Sequence, residues 1–232
     1  MGLRLALPLS ILLAGAAACG PQIDPAAQAD LDRKLSQIQP SEETFPPAES
    51  YSPMAFVVGQ WTEHRITDDK GRKSLVTSKL VGQEDGAYWF EVVSDTAQGR
   101  ELARLQVAMP GGRDPAGMVI RTLLIRKPGG QPIAVDPMTG DPQIRARYRA
   151  ALDLFATAGE GDEKDDLRVP GGHFIGCYRI ETQGAWGPWH APTDLCTHPS
   201  VPLSGVVRAE PATGRALLEL VAFGVTGAEA EF

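Results

Sequence analysis

No stretch of the chain holds 18 uninterrupted apolar residues. No segment therefore reads as a transmembrane helix, which needs roughly 20. Basic residues are in deficit, 22 Lys and Arg against 29 Asp and Glu, for a net charge of −7. Such a chain repels phosphate backbones and does not dock by charge on anionic lipid, so no nucleic-acid partner is expected. Signatures of chemistry are missing as well. Pro110-Gly111-Gly112-Arg113-Asp114-Pro115 is Gly-rich, but no G-K-S/T follows to make a phosphate loop. Ser204, in Pro-Leu-Ser-Gly-Val, is not in a hydrolase elbow. The acidic run Glu160 to Asp166 lacks the alternating ladder and central Gly of a calcium loop, and reads as a solvated charged loop. No cofactor is expected, and an enzyme is the least favoured reading. What the chain has in quantity is turn formers, 25 Gly and 19 Pro, which suit a β protein.

The first 20 residues set the address. Arg4 precedes an apolar run from Leu5 to Leu13, broken by Pro8 and Ser10; small residues 14–18 follow, and then Cys19. Basic, apolar, small is the layout of an export signal. The Ala16-Ala17-Ala18 pattern also fits ordinary secretory cleavage. A Cys placed directly after the small residues resembles the lipobox of bacterial lipoproteins. That family usually has Leu three residues before the Cys, where this chain has Ala16. The resemblance implies residues 1–18 as a lipoprotein signal peptide and Cys19 as an acylated, palmitate-bearing residue. Two or more acyl chains give stable anchoring without a membrane span. Gly20, which is not Asp, implies the outer membrane, facing the periplasm.

With Cys19 taken by lipid, Cys177 and Cys196 remain. In an oxidising compartment an even pair is expected to form a disulfide. It closes a loop of about 19 residues, worth roughly 3 kcal/mol in the chain-entropy model. His190, Asp194, Cys196 and His198 form the densest cluster of ligand types. Zinc needs three or four such groups converging. Pro192 and Pro199 argue against the helix that would align them, so the expectation is a polar loop and no metal.

Residues 19–53 read as a lipidated tether. Asp24-Pro25 caps a short helix over about 26–38, with Leu31, Leu35 and Ile38 on one stripe, and a Pro-rich semi-rigid spacer follows. Residues 54–226 read as an antiparallel β domain, with 227–232 as a tail. Strands are predicted at Phe56–Thr67, Ser74–Gly82, Ala87–Ser94, Glu101–Met109, Met118–Arg126, His173–Thr182, Val206–Glu210 and Arg215–Gly224, with a less regular piece at Trp189–Thr197. Tyr88, Phe90 and Val92 alternate against Trp89, Glu91 and Val93. Ile144, Tyr148, Leu152 and Phe155 recur at helical spacing and predict one packed helix near 142–158. The fold class is mainly β (α+β), an antiparallel curved sheet or half-barrel with one packed helix.

The last third carries Val-Pro-Gly-Gly-His-Phe at 169–174, Val-Pro-Leu-Ser-Gly-Val-Val at 201–207 and Leu-Glu-Leu-Val-Ala-Phe-Gly at 218–224. In the order of its elements the chain resembles bacterial envelope lipoproteins whose sheets look like the half-barrel of the LolA/LolB-like lipoprotein carriers. The resemblance implies a non-catalytic module that holds a lipid or other apolar group on a curved sheet. The alternative is a structural or protein-interaction lipoprotein whose concavity is plugged by the helix at 142–158. Trp186 and Trp189 flank a turn and border the candidate ligand face. The expected partners are the membrane, through Cys19, and a lipid or an envelope protein.

Overall fold

The computed structural model describes residues 23–113, 117–136, 152, 155, 161, 163–182, 191–214 and 216–232. Cys19, Trp186, Trp189 and His190 lie outside the described residues. The fold is mainly β, an open curved sheet that does not close into a barrel.

One helix, α1 (Pro25–Ser36), precedes twelve strands: β1 (Thr44–Phe45), β2 (Trp61–Thr67), β3 (Lys73–Glu84), β4 (Ala87–Thr96), β5 (Gly99–Ala108), β6 (Val119–Arg126), β7 (Ile133–Val135), β8 (Glu163–Val169), β9 (Gly172–Glu181), β10 (Thr193–Thr197), β11 (Val206–Pro211) and β12 (Leu217–Gly224). From β9 the sheet runs through β10, β11, β12, β2, β3, β4, β5 and β6 to β7. At His173 and Phe174, β9 pairs with β8 and with β1, so these two lie on opposite sides of it. Among the described residues β7, β8 and the short β1 each pair with one strand only, so all three are edges.

Period-2 alternation sorts side chains between two faces. On the core face Leu80, Phe90, Leu105 and Leu123 stand in register across four strands, all within the main apolar cluster. On the outer face the neighbouring rung is Trp61, Lys79, Glu91 and Arg104. Burying one large apolar side chain of the first rung is worth about 1.5–3 kcal/mol. Register shifts at Leu80/Gly82, Gln106/Val107 and Leu220/Ala222 add local bends.

The helix expected at 142–158 lies outside the described residues except at Leu152 and Phe155. Both are fully buried in the main cluster. The described helix is α1. Asp24 Oδ1 accepts the N–H groups of Ala26 and Ala27 at 2.8 and 3.3 Å, and Pro25 opens the first turn. Leu31, 2% exposed, packs with Leu75 and Val221 on the outer face.

The segment read as a spacer is strapped to the sheet. The Ser41 N–H donates to the Pro170 carbonyl and the His173 N–H to the Glu43 carbonyl. Phe45 stacks on Phe174 at 4.6 Å and Tyr51 meets Tyr178 edge-on. The prolines that suggest a spacer are equally suited to an irregular strap, and the aromatic anchors decide between them. The acidic stretch before 167, expected as a loop, is in part β8. It is an edge strand, and exposed charges are what protect an edge from pairing with another chain. The strand expected from Phe56 is β2 and starts at Trp61. Gly59 has φ of +103°, a conformation that ends the extended run and favours glycine.

Candidate functional site

Aromatic side chains pack on one another across the core face. Phe155 stacks on Phe90 with ring centroids 4.1 Å apart. Phe56 meets both Tyr88 and Phe90 edge-on, and the Arg113 guanidinium covers Phe56 at 3.6 Å. Arg113 also donates to the Leu203 and Met54 carbonyls, which pins the loop ends over the cluster.

One histidine interrupts this apolar surface. His64 on β2 is fully buried and its Nε2 lies 3.0 Å from the Val206 carbonyl. A carbonyl only accepts, so Nε2 carries the proton and Nδ1 is bare; Nδ1 has no partner among the described residues. Burial disfavours the charged ring and outweighs the Val206 bond, lowering its pKa to about 4. An unfolded histidine titrates near 6.5. Between those values the unfolded chain holds a proton that the folded chain does not, so stability is present above pH 6.5 and is lost as pH falls toward about 4. Urea midpoints measured across that window should fall less steeply for His64→Gln, which keeps a donor for Val206, than for the parent. Equal slopes would remove His64 from the acid response.

The ligand-type cluster is dispersed over separate tasks. Cys196 on β10 is bonded to Cys177 on β9, with Cα atoms 5.6 Å apart. Asp194 pairs with Arg179 at 3.2 Å. The His198 Nδ1 accepts the Ser200 N–H, and its Nε2 lies 3.2 Å from the Pro46 carbonyl. Burial, opposed by that bond, holds His198 below the usual histidine value. Among the described residues no group of three or more His, Cys, Asp or Glu could hold a metal ion. Beside the disulfide is a 190 Å³ pocket, lined by Leu167 and Leu195 and by the charged Asp165, Arg179, Asp194 and Arg208 among others. Its charges are largely spent on one another, as in Arg208–Glu210 at 2.8 Å.

The outer face carries an arrangement that sequence reasoning missed. Glu91 is 0% exposed. Its Oε2 accepts the Glu231 N–H at 2.8 Å and its Oε1 accepts the Phe232 N–H at 3.3 Å. Lys79 and Arg100 both bind the Glu231 carboxylate, Arg100 at 2.5 Å. Arg126 donates to the Glu231 carbonyl at 3.0 Å and lies 5.3 Å from the Phe232 ring centroid. Partial burial pushes the Glu231 pKa up, but the Lys79 bond and the Arg100 and Lys79 charges outweigh it, holding it below the usual carboxylate range. Farther along, Ala228 donates to the Gly59 carbonyl at 2.8 Å. A side chain on Gly59 would come 3.3 Å from Gly227 N, so glycine there admits the segment. Ion pairs continue from Arg100 to Asp95 and from Asp95 to Lys34 of α1. The sequence signal for this site is Glu91, a lone carboxylate between aromatic and β-branched residues on a strand. Nothing local says which distant segment covers it.

No helix among the described residues is long and apolar enough to cross a membrane. No protein-family model matches the chain. No curated protein matches it either. Among solved structures, a Bacteroides fragilis protein described as exported, with a YmcC-like fold, aligns at a TM-score of 0.32 and 12% identity, covering 76% of this chain and all of that one. A likeness that slight carries no argument about this chain, and nothing links the chain to the LolA/LolB-like carriers.

Proposed function

We propose that the chain is an exported envelope lipoprotein, anchored through Cys19 in the outer membrane and facing the periplasm, that acts without catalysis by binding other proteins. The filled core face carries this reading: Phe155 occupies the sheet's concavity against Phe90 and both rings are fully buried. That observation favours a packed interaction module over a carrier holding an apolar ligand on the same face. Export and anchoring rest on the sequence of residues 3–20, and the Cys177–Cys196 bond is in keeping with an oxidising compartment.

The test uses full-length chain carrying Cys19→Ser, exported to a periplasm and purified without detergent. The variant should leave the membrane fraction, and native mass spectrometry should give a bare mass two hydrogens light. Continued membrane partition would refute the anchor. A stoichiometric lipid-sized excess lost on activation would refute the filled-core reading and restore the carrier.

A further inference from the structure

We propose that the outer face of β3–β6 is a peptide-binding site for a protein segment carrying a glutamate followed by an aromatic residue, occupied in cis by the chain's own residues 229–232. This deepens the protein-binding reading and rests on it.

The receptor side is built into the sheet. Lys79 pairs in register with Glu91, and Glu91 with Arg104, so these charges are held in place by strand pairing whether or not the tail is bound. A carboxylate with no exposure requires hydrogen-bond donors. Glu91 takes two of them from consecutive backbone N–H groups, those of Glu231 and Phe232, which a segment supplies only when its backbone turns both toward the carboxylate. Its nearest side-chain cation, Arg104, stands 3.7 Å away, outside hydrogen-bond reach. Selectivity then comes from Lys79 and Arg100, which converge on one carboxylate, and from Arg126, which meets the aromatic ring that follows. Three recognition elements, for backbone, acid and ring, therefore converge on two adjacent residues.

The occupant side is held by polar contacts and stays partly exposed. No residue of 225–232 is buried. Its grip is polar and partly exposed, which places it at the easily opened end of the structure. Beside it lies a 350 Å³ pocket lined by Trp61, Thr77, Lys79 and the small residues Gly227, Ala228 and Ala230. A partner segment with a larger apolar residue in place of Ala228 would use space the tail leaves empty, and would displace it.

The experiment uses the full chain with Glu231→Lys, which sets Lys79, Arg100 and Arg126 against the tail and opens the site. A fluorescein-labelled peptide of residues 226–232 is titrated and read by anisotropy. Binding to the open variant should be at least tenfold tighter than to the parent, in which the tail competes. Adding Lys79→Ala and Arg100→Ala should weaken it at least tenfold, and the Ala228→Leu peptide should bind more tightly than the native one. Glu231→Ala repeats the measurement should the charge reversal disturb the fold, judged by circular dichroism. A folded open variant that does not bind, or that binds equally without Lys79 and Arg100, would overturn the proposal. That failure would leave the protein-binding reading standing with a different surface, whereas a lipid adduct in the mass measurement would remove the reading itself.

Discussion

Phe155→Ala should cost about 3–5 kcal/mol of folding stability, the range for deleting a large aromatic from a packed core. Phe155 is fully buried, is stacked on Phe90 at 4.1 Å, and sits over the Leu80–Phe90–Leu105–Leu123 rung. Removing the ring takes away that contact and leaves the rung facing a void, so a transfer loss and a cavity loss add. Urea denaturation gives the quantity directly, as a lower midpoint at unchanged slope. Ile133→Ala on edge strand β7, 50% exposed, is the matched control and should stay within about 0.5 kcal/mol. A Phe155→Ala loss below about 1 kcal/mol would mean that the sheet does not depend on its plug. An apolar ligand on the core face would then be as compatible with the sheet as the Phe155 ring is.

The parts of this fold that are legible in the sequence are those written in short-range pattern. The alternation of Tyr88, Phe90 and Val92 with Trp89, Glu91 and Val93 places β4 and its two faces, because a period of two is local. Asp24-Pro25 marks the start of α1 for the same reason, since a cap and its first-turn N–H groups are sequence neighbours. Long-range pairing is not legible. β12 joins β2 across some 154 residues, with Arg65 on Glu219 at 2.6 Å, and no local signal names that partner. β8 is hidden by its own protection, since the charges that suit an exposed edge are the charges of a loop. Of the candidate site residues, Cys177 and Cys196 are readable as an even pair once Cys19 is set aside as the expected site of lipidation. Glu91 is readable as a strand residue but not as a buried one. Its burial comes from a segment 140 residues later, and a short acidic run such as Glu229-Ala-Glu231 has no periodicity to mark it as a ligand.

Removing the disulfide by Cys177→Ala with Cys196→Ala should cost about 3 kcal/mol, the chain-entropy value for a separation of 19 residues. The effect should be concentrated at one end of the molecule. The bond ties β9 to β10, and β9 in turn carries edge strand β8 and the short parallel strand β1. The apolar cluster there is small, with Phe174, Val201, Val207 and Leu220 at its centre, so the cross-link supports an edge that packing alone holds weakly. The parent chain unfolded in urea with a reductant should match the double variant, and a thiol assay on the denatured, unreduced parent should find neither cysteine reactive. Hydrogen exchange should show β8–β10 opening before β3–β6 once the bond is gone. An unchanged urea midpoint would mean the two sulfurs act only as packing. A uniform loss across all strands would mean the edge and the central sheet unfold as one unit, with the bond restraining the whole unfolded chain.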